Sequence, residues 1–517
     1  MKRAHRNLSE GILMTDQYQL TMAQLYFRQG LHRMPAQFEY FYRNNPSYGS
    51  HQAGYTVLAG TGSLLEWMAE ERFTENEIAC LGRQRGRSGT PLFQPDFLDW
   101  LLQEGDFSQI RLQGLQEGRV AHPTVPLLTV QGPFAMAQIL ETSLLNHMNY
   151  QTLIATKAAR MRQAANRRPI LEFGLRRAQG YGGNAGVRGA LVGGADASSN
   201  VGISHALGFD PKGTHAHSMV QAFVALGSGE LGAFRAYAET YPDDCLLLVD
   251  TIDTLKSGIP NAIRVFEELR RKGHRPVGIR LDSGDLAYLT LSAAQALNRA
   301  GFADTAIVLS NQLDEMVIWQ ILSQIRTEAP KLGMNPEEII DRMVFGVGTA
   351  LITSQGAAAL DGVYKLTAVK DGKEWRPAIK ISETPGKIIN PGEKQIWRLY
   401  DLRDKAVCDV LAIKDERLDV TPELDLHHPV DFQIRRTLKK EELSRVERLY
   451  TDLNMVEGGA EDTIARMRLR RDYDLERLDD GVKRMVNPHR YHVSLTRELW
   501  ELKQKLVGER LSIGKRT

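Results

Sequence analysis

Between residues 170 and 349 short apolar runs recur, and each passes directly into polar or glycine residues. The runs are ILEF (170–173), CLLLV (245–249), VGIRL (277–281), AIVLS (306–310) and MVFGVGT (343–349). Asp250-Thr251, Asp282-Ser283-Gly284-Asp285 and Asn311-Gln312 follow the second, third and fourth. Helical patterns fill gaps at 258–272, 286–300 and 314–329. Strands alternating with helices predict right-handed βαβ units and a parallel sheet. Polar residues at the C-terminal strand ends mark where such a fold places its active site. The spacing fits a closed barrel and an open doubly wound sheet equally.

The flanks differ. A helix is expected over 16–28 with Asp16 as its cap, a strand over 37–42, and a short helix around 64–68. RVAHPTVPLLTVQ (119–131) reads as two strands broken at Pro123 and Pro126. A long helix then starts at Pro133 and runs toward Ala165 with a break near Asn149. After Leu360, VYKLTAV, AIKIS and IWRLYD read as strands, with turns at Asp371-Gly372 and Pro391-Gly392. The charged stretches 437–475 and 494–507 read as helices.

Composition narrows the class. The chain of 517 residues is 42% apolar and 25% charged, which excludes disordered, collagen-like and disulfide-scaffold proteins. With 65 basic and 63 acidic residues the net charge is only +2, against binding to nucleic acid through bulk charge. Cys80, Cys245 and Cys408 are sparse and unpaired by spacing, as free thiols in a reducing compartment would be. No apolar signal core or 18-residue apolar stretch is present, so the expectation is a soluble cytoplasmic protein.

Several motifs can carry chemistry. In RLDSGDL (280–286) a strand ends and turns into a helix, so Ser283, Gly284 and Asp285 offer a phosphate site or an ordinary capped turn. Arg280 can aim a planar fork at a carboxylate or phosphate. FGVGTALIT (345–353) is a second glycine turn. GTHAHSMV (213–220) holds His215 and His217, which can be structural, metal-binding, or a base or nucleophile. LEFGLRRAQG offers the Phe173 ring and then Arg176 and Arg177, while GGADASSN is a small-residue loop with hydroxyls.

Taken in order, TDQYQLTMAQLYF, LEFGLRRAQG, GTHAHS, VDTIDTLKSGIPN, GIRLDSGDL, SNQLDE, GVGTALIT, GVYKL and NPHRYHVSL resemble the nicotinate phosphoribosyltransferase family over residues 15 to about 505. That family makes nicotinate mononucleotide from nicotinate and phosphoribosyl pyrophosphate, releases pyrophosphate and couples the reaction to ATP hydrolysis. The resemblance implies an irregular TIM-like α/β barrel of the type II phosphoribosyltransferases, over 136–360. An N-terminal α/β domain (1–135) would precede it. A C-terminal α+β extension (361–517), partly packed on the N-terminal domain, would follow. It implies a homodimer with shared active sites, small-molecule substrates, and Mg2+ bound with phosphoribosyl pyrophosphate and ATP, not by protein ligands alone.

The same resemblance assigns roles. His217 matches the histidine that ATP phosphorylates, and Asp250 a carboxylate near it. Thr214 and Arg280 match nicotinate contacts. Tyr18 and Phe173 match an aromatic pair around the pyridine ring, with Tyr18 from the second subunit. Arg176 matches a phosphoribosyl-phosphate contact with Arg177 beside it, and Asp282 a ribose-hydroxyl acceptor. Gly346, Gly348 and Thr349 match the terminal phosphate cradle. Ser199 stands where the related nicotinamide enzyme has an aspartate, which implies a preference for the acid. The glycine-rich 180–195 and the linker 203–212 do not align securely. The competing readings are a nicotinamide or quinolinate phosphoribosyltransferase and a catalytically inactive sensor of NAD precursors.

Overall fold

The computed structural model describes residues 8–180, 182–431, 433–454 and 462–513. They form two compact units, one within Met1–Leu153 and Ala359–Thr517, the other Ile154–Ala358. None of the described helices is long and apolar enough to cross a membrane.

The second unit is built on six parallel strands: β1 (Ile170–Glu172), β2 (Ala197–Ser198), β3 (Leu246–Leu248), β4 (Gly278–Leu281), β5 (Ala306–Ser310) and β6 (Met343–Val347). Their order is β2-β1-β6-β5-β4-β3. Read around a ring, this is chain order, and among the described residues the ladder lacks only the β2–β3 pairing. The architecture is therefore barrel-type α/β with one open seam. Leu247, Ile279, Leu281, Ile307, Leu309, Phe345 and Val347 are buried along the strands.

The polar residues beyond the strands also start the helices. Asp253 accepts from the amides of Leu255 and Lys256, Asp285 from those of Ala287 and Tyr288, and Asp314 from those of Met316 and Val317. The helix Ile259–Arg271 buries Ile259, Ala262, Val265, Phe266 and Leu269, a single apolar face at helical spacing. The glycine-rich stretch is itself a helix, Gly182–Gly193. Its last residue lies against the helix Glu141–Ala164, where a Cβ on Gly193 would stand 2.1 Å from the Ala155 carbonyl oxygen. Two positions of GGADASSN form β2, so that segment is a strand end and not only a loop. Part of 203–212 is the end of the helix Val201–Ala206.

The other unit holds two six-stranded sheets. One runs Glu374–Pro377, Gly362–Asp371, Pro35–Tyr42, Leu128–Pro133, Arg111–Gly114 and Thr451–Asp452. The second contains Lys394–Asp401, Ala406–Ile413, Glu423–His427, Arg435–Lys439, Leu443–Arg448 and His492–Thr496. Early and late parts of the chain are joined by buried charge. Arg398 Nε and Nη2 hold both Asp409 oxygens at 2.7 and 2.9 Å, and Nη2 also donates to Val120 O. Asp474 receives Arg119 Nε and the Val120 amide.

Three expectations fail here. The strand follows the Asp371-Gly372 turn at once, as Glu374–Pro377, and AIKIS is not in it. The tight turn pairs Asp371 with Glu374 and so sets the register. The helix does not break near Asn149. It breaks at Leu140, between Phe134–Ile139 and Glu141–Ala164, and the Asn149 side chain accepts from the Tyr40 hydroxyl at 2.9 Å. The stretch 437–454 is mostly strand, because Leu438, Leu443 and Val446 pack on the Trp397–Leu399–Val410 core. The remainder of 437–475 is the helix Ile464–Arg477, apart from 455–461, which lies outside the described residues. The second charged stretch is helical, as Arg497–Ile513.

Two glycines on helices separate packing from propensity. Gly193→Ala is expected to lower stability by about 1–3 kcal/mol or more, because the new methyl meets rigid backbone. Gly202→Ala, with open space around its Cβ, should be neutral or stabilising by up to about 1 kcal/mol. Urea unfolding midpoints of the two variants check this.

Candidate active site

The C-terminal ends of the parallel strands surround a cavity of about 400 Å³. Phe173 follows β1, Ser199 follows β2, and Arg280 and Asp282 belong to the end of β4. Residues 213–217 and Leu248 of β3 complete the wall, with Arg176 at the rim. Seven residues expected from the sequence thus meet: Phe173, Arg176, Ser199, Thr214, His217, Arg280 and Asp282.

The two histidines have different surroundings. His215 Nε2 accepts the Leu248 amide at 3.1 Å, so its ring covers an amide of β3 at the seam. An acceptor at Nε2 must be unprotonated, and burial pushes the His215 pKa down to about 4. His217 opens the helix His217–Ala225. Its Nδ1 lies 3.0 Å from Thr251 Oγ1, and its Nε2 lies 3.8 Å from Asp282 Oδ2 and 4.0 Å from Asp250 Oδ1. The carboxylates are near enough to set its field but too far to occupy Nε2 with a hydrogen bond.

Asp250, just beyond β3, has a buried side chain. Its Oδ2 accepts the Asp282 amide at 2.9 Å and Ser283 Oγ at 2.5 Å. Among the described residues its Oδ1 is buried without a hydrogen-bond partner, as is Thr214 Oγ1 at the cavity wall. Arg280 Nε donates to Ser310 Oγ at 2.9 Å, and Nη2 approaches Asp282 Oδ2 at 3.4 Å. Ser310 in turn donates to Asp282 Oδ1 at 2.6 Å. The guanidinium carbon lies 5.7 Å from the centre of the Phe173 ring. That ring rests on Gly346, where a Cβ would come within 2.6 Å of it.

Glu172 ties β1 to β2. It is fully buried, accepts the Gly174 amide on one oxygen and the Ser198 hydroxyl at 2.6 Å on the other, and its carbonyl accepts the Ser199 amide. Burial raises its pKa. Glu172, Thr251 and Ser310 were not singled out from sequence. Their one available signal is position, at a strand end or in the residues directly after it.

Within the same unit, other expected residues are not part of the cavity wall. Arg177 is exposed on the same short turn as Arg176. Asp285 is spent on its helix cap, and Gly284 takes a left-handed φ of 75°. Gly348 and Thr349 begin a short helix after β6, with Thr349 exposed. Tyr18 lies in the first unit, 48% exposed on the helix Gln17–Arg28.

Three family descriptions cover the chain: the nicotinate phosphoribosyltransferase N-terminal domain at 13–149, the family itself at 170–411 and the C-terminal domain at 393–503. Nicotinate phosphoribosyltransferase of Bacillus subtilis is 36% identical over 96% of this chain and 95% of its own. The chain belongs to the nicotinate phosphoribosyltransferase family. The protein of that name from Caenorhabditis elegans is 31% identical over 97% of this chain and 94% of its own. The crystal structure of human nicotinic acid phosphoribosyltransferase matches with a TM-score of 0.77 at 29% identity, covering 95% of this chain and 99% of that one.

His215 gives the site a pH signature. Because its pKa is about 4 folded against 6.5 in its ordinary state, the unfolded chain binds the extra proton between those values. Stability is therefore retained above pH 6.5 and lost as the pH falls toward 4. His215→Gln keeps an acceptor and removes the titration. Its urea midpoint should fall less between pH 7 and pH 5 than that of the parent.

Proposed function

We propose that this chain condenses nicotinate with phosphoribosyl pyrophosphate to give nicotinate mononucleotide and pyrophosphate, in NAD salvage, and couples this to ATP hydrolysis as a ligase. The observation that carries the reading is one cavity presenting an aromatic face, a partly engaged guanidinium and a histidine beside two carboxylates.

Phe173 carries the pyridine ring, and Arg280 and Thr214 receive its carboxylate. The pyridine nitrogen attacks the anomeric carbon as the bond to pyrophosphate breaks, through an oxocarbenium-like state stabilised by positioning and charge. Asp282 accepts the ribose hydroxyls. Arg176 and Arg177, the turn at Ser283, Gly284 and Asp285, and the turn at Gly346, Gly348 and Thr349 receive phosphate groups. With Nδ1 at Thr251, Nε2 of His217 takes the γ-phosphoryl group as ADP leaves, and water later releases phosphate. Magnesium fits this site, since it uses one or two carboxylates with substrate phosphates, and Asp250 Oδ1 is buried with no hydrogen-bond partner among the described residues. It would neutralise diphosphate charge. The working form is a cytoplasmic homodimer in which the exposed Tyr18 of a second copy closes on the ring.

Purified protein with phosphoribosyl pyrophosphate and magnesium, given nicotinate, nicotinamide or quinolinate with and without ATP, tests the proposal. Nicotinate mononucleotide should form, faster with ATP. No product from any pyridine would favour the sensor reading.

Two variants sharpen the test. His217→Ala should abolish ATP hydrolysis and the stimulation by ATP, and an acid-labile phosphate persisting in it would move the role elsewhere. Ser199→Asp should lower kcat/KM for nicotinate about 10-fold or more by like-charge repulsion, with unfolding little changed. Equal use of nicotinate by a normally melting variant would place selectivity outside Ser199.

A further inference from the structure

Arg280 and Asp282 are two residues apart at one strand end, so their side chains share a face. A guanidinium and a carboxylate placed this way favour a two-pronged ion pair. That pair does not form. Asp282 Oδ1 is taken by the Ser310 hydroxyl at 2.6 Å, and Arg280 Nε is taken by the oxygen of the same hydroxyl at 2.9 Å. What remains between the two charged groups is a single 3.4 Å approach of Nη2 to Oδ2. Ser310 is buried, at the end of the adjacent strand β5, in register with Gly346. One hydroxyl therefore donates to the acid and accepts from the base, and among the described residues no other side chain bonds to both.

We propose that Ser310 is a positioning residue that keeps Arg280 and Asp282 from quenching each other, so that the guanidinium stays available to an anionic substrate. The inference rests on the nicotinate reading for its substrate, but not for its geometry. Without the hydroxyl, both prongs of Arg280 are free to turn onto both oxygens of Asp282. An incoming carboxylate then has to break a formed ion pair before it binds. The loss should fall on binding of the acid more than on the chemical step.

Ser310→Ala tests this, since it removes one buried hydroxyl and no packing volume beyond it. KM for nicotinate is expected to rise about 10- to 100-fold, the range for a hydrogen bond to a charged group, while kcat changes less than about 3-fold. In an Arg280→Lys background, which has no Nε–H to hold, the same substitution should add less than about 3-fold. A crystal structure of Ser310→Ala should show Arg280 in two contacts below about 3.0 Å with Asp282. This last readout does not depend on which pyridine is the substrate. If the parent fails to use nicotinate yet the variant shows the collapsed pair, the functional reading fails and the spacer role stands. A variant structure with Arg280 and Asp282 unmoved overturns the spacer role. So does an unchanged KM in the variant of an active parent, or a full additional loss in the Arg280→Lys background.

Discussion

The candidate site depends on one unpaired edge. In a ring of parallel strands every backbone amide has a partner except where neighbouring strands do not meet, and here that place is between β2 and β3. The Leu248 amide faces the gap and is satisfied by the imidazole of His215 instead of another strand. Segment 213–217 is thereby fixed along the seam. The same segment delivers Thr214, Ala216 and His217 to the cavity, with His217 already in the first turn of a helix. A structural histidine two residues from the one that faces Asp250 and Asp282 is thus a consequence of where the ring is open.

The electrostatics follow a consistent pattern. Glu172, Asp250 and Asp282 crowd the strand ends, yet neutral donors meet most of their charge. Glu172 has an amide and a serine, Asp250 an amide and a serine, and Asp282 a serine. Hydroxyls and backbone amides stabilise a carboxylate without consuming a cation. Arg280 and Arg176 consequently reach the cavity with little of their charge committed. A site that paired each acid with its own arginine would be poorly suited to a substrate that is itself an anion.

Legibility in the sequence followed the strength of local signals. β1 and β3 to β6 were readable because each is a run of β-branched or large apolar residues bounded by polar ones, and buried strands of parallel sheets have that composition. The two-residue β2 in DASSN was not, since small polar residues read as a turn and only pairing to Leu171 and Glu172 makes them a strand. The strands of 437–452 are hidden in the sequence because charged residues on an exposed sheet face mimic a charged helix. Among the site residues, His217, Arg280 and Asp282 carry chemistry in their side-chain type and stood out. Ser310, Thr251 and Glu172 act through distances of 2.6–3.0 Å to residues 26–34 positions away, and no local pattern encodes those partners.

The surroundings of His217 bear on the phosphoryl transfer proposed for it. Its Nε2 faces two carboxylates at 3.8 and 4.0 Å, a field that opposes added negative charge there. The helix it opens supplies the opposing influence, because free amides and the dipole of a helix N-terminus favour an anion. A phosphoryl group on Nε2 would therefore be drawn toward the helix start and pushed from Asp250 and Asp282. Asp282 is also the residue that approaches Arg280 and bonds Ser310. Under the proposed chemistry, charge placed on His217 acts directly on the carboxylate nearest the substrate-binding guanidinium, with no need for a rearrangement of the strands.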